Sequence, residues 1–179
     1  PTASGASFPG LLRSDNLTMA VSVNVAYGNV YGDREGTSRG WSSRMSAQGS
    51  LVRGTGCDIF VAAEAYDWLD GNLALLAAIK TGDPDWAISE GRLGNMCYYR
   101  PSVYAEVAAD VVYFRDGDAR NYTDFRLKHI ATNDYIHVIG THLTPGDTSA
   151  DKAARVFEGK LLGAYMAGLP ASFIAGDIN

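Results

Sequence analysis

Five strand-length segments follow one another between Trp86 and Leu143 with no helical period among them, and this block constrains the fold more than any other feature. They run Trp86 to Ile88, Asn95 to Arg100, Val103 to Phe114, Tyr122 to Ala131 and Tyr135 to Leu143. Asp116-Gly117-Asp118 and Thr132-Asn133-Asp134 carry turn chemistry between them, which suits antiparallel neighbours. Segments of helical spacing flank the block. Ser42 to Arg53 places Met45, Gln48, Leu51 and Val52 at helical intervals, and Asp70 to Ile79 reads as a helix with Asp70 as candidate N-cap. Ser149 to Ala167 is the best-formed helix: Ala153, Val156, Phe157, Leu161, Ala164 and Tyr165 recur at i, i+3 and i+4, and Gly168 and Pro170 close it.

Three further strands are expected. Thr18 to Val25 alternates and is β-branched, Cys57 to Ala63 is a continuous apolar run that suits burial, and Ala171 to Ala175 leads into the last residues. Tyr27 to Gly40 reads as a loop and residues 1–16 as a loose leader, leaving 17–179 as one domain. Helices before and after a strand block indicate a layered α/β protein rather than a doubly wound parallel sheet. No apolar run approaches the roughly 18–20 residues of a transmembrane helix. The first ten residues lack the basic start and apolar centre of a secretory leader. The cellular compartment stays open. Cys57 and Cys97 are too few for a disulfide framework or a zinc cluster, and read as two buried thiols or one disulfide.

Four apolar strands end in polar groups: Asn24, Glu64, Thr141-His142, and Asp177 with Asn179. Residues at i and i+2 share a face of a strand, so Asp177 and Asn179 point the same way. Burying a carboxylate without a partner is costly. Four such ends converging is best explained by a cation and an anionic ligand between them, and carboxylate and amide oxygens suit a hard cation. The net charge of −5 argues against nucleic-acid binding driven by bulk charge, but not against a nuclease whose metal ions offset repulsion locally. His129 and His137 lie mid-strand and read as structural, whereas Arg126 and Lys128 are weaker candidates for steering phosphate.

The ordered set of C-D-I-F-V-A-A-E, G-N-M-C-Y-Y-R-P, V-I-G-T-H-L, a helix bearing Arg155 and F-I-A-G-D-I-N resembles the endonuclease/exonuclease/phosphatase superfamily from Met19 to Asn179. Ala63 and Ile178 stand where that family usually has a glutamine and an aromatic residue. The resemblance implies a four-layer α-β-β-α sandwich of two mixed or antiparallel sheets, the second incomplete in this chain. It implies a phosphoesterase using Mg²⁺ or Mn²⁺, foremost a nuclease-type phosphodiesterase acting on nucleic acid. A lipid or inositol phosphate hydrolase and a non-catalytic binding module are the alternatives. Carried over by motif, Glu64 is the principal metal ligand and Asn24 its neighbour. His142 bonds the scissile phosphate, Asp177 orients the attacking water, Asn179 contacts the phosphate and Asn95 binds substrate. The family pattern continues with further strands and a late Asp-His pair, so a C-terminal segment or partner chain is expected to complete the sandwich.

Overall fold

Cys57 to Ala63 behaves as its composition requires: every residue of Ile59–Ala63 is buried, because this strand has another layer on each face. The computed structural model describes residues 4–11, 20–30, 41–65, 71–91, 94–115 and 120–179, with the backbone alone at 4–11, 20–22 and 41–43. In chain order the elements are β1 Ser4–Leu11, β2 Ala20–Asn29, α1 Trp41–Thr55, β3 Ile59–Ala63, α2 Gly71–Lys80, β4 Ala87–Glu90, β5 Met96–Tyr99, β6 Tyr104–Tyr113, β7 Asn121–His129, β8 Tyr135–His142, α3 Ser149–Met166 and β9 Ser172–Asp177.

The strands form two sheets, one of order β1-β2-β3-β5-β4 and one of order β6-β7-β8-β9. Each is mixed: β2 pairs parallel with β3 and β8 parallel with β9, and the remaining pairs are antiparallel. Three apolar clusters mark the three interfaces of four layers. Met45 and Val52 of α1 and Leu75 and Ile79 of α2 pack on Ala26, Phe60 and Tyr98 of the first sheet. Val23, Ile59, Val61 and Cys97 meet Phe125, Leu127, Val138 and Ala175 between the sheets. Leu162 of α3 covers Tyr122 and Ile139 on the outside of the second sheet. Gly49 permits close packing of the two early helices, since a Cβ there would lie 2.5 Å from the Ala78 carbonyl carbon.

The expected layered fold is present, with two corrections to the elements. Ser4–Leu11, expected within a loose leader, pairs antiparallel with β2 from Ser4 opposite Tyr27 to Leu11 opposite Ala20. Small polar residues do not announce such a strand; the exposed edge of β2 recruits it. β2 itself continues to Asn29 rather than stopping at Val25, because pairing with β3 reaches Ala63. The candidate cap Asp70, and most of the loop expected over 27–40, lie outside the described residues.

α3 forms as expected and starts in a capping box, with Thr148 accepting from the Asp151 amide and Asp151 accepting from Thr148. Its buried face differs from the periodic apolar stripe. Glu158 and Leu162 are buried, whereas Val156, Phe157 and Leu161 are exposed. Away from the strand ends, Arg100 is held by Asp58, Asp83 and Asp85 and lies over Trp86. Cys57 and Cys97 are free, buried thiols. No helix among the described residues is long and apolar enough to cross a membrane.

Candidate active site

Strand parity decides which polar ends meet. On β2, Val23, Val25 and Tyr27 belong to the cluster between the sheets, and Asn29 is the next residue on that face. Asn29 Nδ2 donates to Glu64 Oε1 at 3.2 Å and to Asp177 Oδ2 at 3.0 Å. One amide thus joins the carboxylate that follows β3 in the first sheet to the carboxylate that ends β9 in the second. On β8, Ile136 and Val138 face the same seam, and His142 lies further along that parity. Its Nδ1 is 3.9 Å from Glu64 Oε1.

The last turn of chain wraps the site. Asp177 Oδ1 accepts from the Asn179 amide at 3.0 Å, and Asn179 Nδ2 donates to the Leu143 carbonyl at 2.9 Å. The Asx-turn and the site contact therefore coexist, since the other Asp177 oxygen faces Asn29. Glu64 and Asn179 both hold left-handed backbone, φ 60° and 52°. Such conformations cost roughly 1–3 kcal/mol in a non-glycine residue and persist where surrounding structure enforces them. At Glu64 the enforcing neighbour is Gly94, itself at φ 82°: its carbonyl accepts from Ala65 N at 3.1 Å, and a Cβ on it would lie 2.8 Å from Glu64 Cα.

Charge around the site is mixed. Burial would raise the Asp177 carboxyl, but hydrogen bonds from Asn29 and the Asn179 amide, with His142 and Arg120 nearby, hold it below its ordinary range. Arg120 Nη1 donates to the His142 carbonyl at 3.3 Å. Burial, then the negative charges of Asp177 and Glu64, push the Tyr27 phenol far above its usual value. Its hydroxyl is buried without a hydrogen-bond partner among the described residues.

The loop beyond His142 is clamped from α3. The buried Glu158 carboxylate accepts from the Thr144 amide at 2.9 Å and from its hydroxyl. Arg155 Nη1 donates to the carbonyls of Thr144 at 2.8 Å and Gly146 at 2.7 Å. This clamp anchors the segment that also receives Asn179.

Four of the six expected residues, Glu64, His142, Asp177 and Asn179, come together. Asn24 does not. It lies on the opposite parity of β2, and its amide donates to Asp58 at 3.4 Å. Asn29 lies beside Glu64 instead; the signal was the strand's even spacing from Val23 through Tyr27, carried two residues past the expected end. Asn95 is buried, 2% exposed, and donates to Asn121 Oδ1 at 3.1 Å beneath the site. Arg126 pairs with Asp110 and Lys128 lies over Tyr135, away from the site. His129 and His137 bond Thr132 and Asp124, as their structural reading implied.

No protein-family model and no curated protein sequence matches the chain. Solved structures do. An endonuclease/exonuclease/phosphatase family protein from Bacteroides thetaiotaomicron superimposes with a TM-score of 0.69 at 20% identity, covering 89% of this chain and 64% of that one. A mannosyl-6-phosphatase from the same organism gives 0.68 at 20% identity, over 88% and 65%. D. rerio TDP2 complexed with single-strand DNA product gives 0.68 at 14% identity, over 88% and 60%. The chain therefore spans less than two thirds of the length of these structures. The two-sheet architecture, its flanking helices and the order of elements are those of the endonuclease/exonuclease/phosphatase fold.

Proposed function

We propose that this chain is the larger part of a divalent-metal-dependent phosphoesterase, foremost a nuclease-type phosphodiesterase that cleaves a P–O bond by attack of water. The observation that carries this reading is the meeting of Asn29, Glu64, His142, Asp177 and Asn179 at the seam of two sheets. Two carboxylates, a histidine and two amides gathered from four strand ends are costly to bury unless a ligand repays the desolvation.

The residues fit Mg²⁺ or Mn²⁺. The Glu64 and Asp177 carboxylates supply hard oxygen donors on either side of Asn29, whose Nδ2 donates to both acids; rotating that amide would turn its oxygen toward a cation in the same place. Among the described residues no group of three or more His, Cys, Asp or Glu side chains could hold a metal ion. Glu64 is assigned as the residue that would hold the ion, on the family resemblance, with Asn29 beside it. When bound, such an ion polarises a phosphoryl oxygen and lowers the pKa of coordinated water.

The chain's own groups divide the remaining work. His142, whose Nδ1 lies 3.9 Å from Glu64 Oε1, donates to a phosphate oxygen. Asp177, held ionised, orients the attacking water through an oxygen that accepts its proton-bearing edge. Asn179 is fixed by its bond to Leu143, which leaves its carbonyl oxygen to position the nucleophile. Tyr27 stays a neutral phenol beside two acids and is available as a donor. The general base is assigned to a late Asp-His pair outside these 179 residues. A further segment or a partner chain is proposed to cover Ile174 and the outer strip of α3, both exposed.

Nucleic acid is the preferred substrate, because Arg120 lies close enough to Asp177 to lower its carboxyl and the structurally similar D. rerio TDP2 is complexed with a single-strand DNA product. Hydrolysis of plasmid and of a generic phosphodiester should require Mg²⁺ or Mn²⁺, be strongest in a longer protein, and vanish in Glu64→Ala. Cleavage of only phosphomonoesters or phospholipids would redirect the substrate class. Absence of metal-dependent hydrolysis of any phosphoester by the longer protein would end the enzyme reading.

A further inference from the structure

Glu64 belongs to the first sheet and His142 to the second, so their separation of 3.9 Å depends on how the sheets are offset. Most of the seam is apolar, and apolar contact is non-directional. Directional links across it are few. One is buried directly beneath the site: Asn95 Nδ2 donates to Asn121 Oδ1 at 3.1 Å, and both residues are 2% exposed.

Each end of that link touches one side of the reactive pair. Asn95 follows Gly94, whose backbone packs on Glu64 and whose carbonyl holds Ala65. Asn95 Cβ also lies 3.7 Å from where a Gly140 Cβ would stand, two residues before His142 on the same face. On the other side, Thr123 pairs with Gly140 and Tyr122 with Thr141, so the next step of the ladder sets Asn121 beside His142. Thr141 Oγ1 donates to the Asn121 carbonyl at 3.3 Å, tying the same residue to the strand that carries the histidine.

Three atoms of this cluster are buried without a hydrogen-bond partner: Asn95 Oδ1, Asn121 Nδ2 and Thr123 Oγ1. They comprise an acceptor, a donor and a hydroxyl. Reversing both amides leaves the same inventory, one acceptor and one donor over. Buried polar atoms are nearly always satisfied, and a single internal water commonly does so with about three bonds.

We propose that Asn95 and Asn121 are positioning residues. They form a strut between the sheets, completed by one internal water shared with Thr123, that sets Glu64 against His142. The inference rests on the reading of Glu64 and His142 as reactive neighbours, but its test does not need catalysis. The chain has only three histidines, so their ring signals can be resolved by ¹H–¹⁵N NMR at one fixed pH.

In Asn95→Ala and Asn121→Ala the His142 ring signals should shift while those of His129 and His137 stay. The double variant should shift no further than either single one, because both cut the same link. Ser89→Ala is the control: it removes another bond between sheets, Ser89 Oγ to Glu106 at 2.7 Å, and should leave His142 in place. Should the alanine variants not fold, Asn95→Ser and Asn121→Ser make the same cut with room for replacing water. Thr123→Val should give a smaller shift in the same direction. With an active longer protein, the strut variants should lower kcat more than they raise KM. Unmoved His142 signals, an equal response in Ser89→Ala, or additive shifts in the double variant would each overturn the proposal. An inactive longer protein with saturating His142 shifts would instead leave the strut standing and remove only the phosphoesterase reading.

Discussion

Asn29 holds two carboxylates with one amide group, joining the end of β3 to the end of β9. Asn29→Ala should lower kcat/KM for a phosphodiester by about 10²-fold, the scale of losing one preorganised polar group. Asn24→Ala, on the opposite face beside Asp58, should leave it within a few-fold. Steady-state kinetics on the two variants compares the faces of one strand. Asp177 adds a pH prediction. Its carboxyl lies below its ordinary range in the folded protein, so it stabilises the fold above the unfolded value of about 3.9. That contribution is lost as pH falls through the lower, folded value. Asn29→Ala removes a bond that lowers the carboxyl, so acid unfolding followed by near-UV circular dichroism should begin at a higher pH. An unchanged acid midpoint would count against the role given to Asn29.

At the scale of elements, α3 works as a clamp on the loop after His142. Glu158→Leu removes the acceptor of the half-buried Thr144 amide and hydroxyl, which costs about 1 kcal/mol. Thermal unfolding should show that loss, and activity should fall further than stability alone explains. Glu158→Gln retains an acceptor and should recover most of both. At the start of the helix, Thr148→Ala removes the capping box and should cost about 1 kcal/mol, with no effect on the site. The helices of the first sheet meet through Gly49, where even a methyl group collides with the Ala78 backbone. Gly49→Ala should destabilise by about 1–3 kcal/mol, the usual range for overpacking, as read from the denaturant midpoint.

For the whole molecule, most of the apolar stripe of α3 identified from periodicity lies at the surface, with Tyr165 the member that packs inward. Val156 is 58% exposed, and Ile174 on the edge strand β9 is 44% exposed. A sheet edge with apolar neighbours invites association. Ile174→Lys should reduce self-association in sedimentation and binding of a hydrophobic dye without lowering the melting temperature. A variant that associates as strongly as the parent would show that this edge is not the sticky surface. The amino-acid sequence alone determined the elements with strong period and the layered class, because hydrophobic repeat, turn residues and caps are local signals. It also determined the polar ends Glu64, His142, Asp177 and Asn179, which interrupt apolar runs. Only the tertiary structure decided that Asn29, and not Asn24, meets Glu64 and Asp177, since that follows from where β2 stops pairing. It alone placed Asn95 in the seam, bonded to Asn121, and it alone recruited residues 4–11 to a sheet edge. These outcomes depend on contacts between segments far apart in the chain, and no local pattern encodes which face a neighbour will cover.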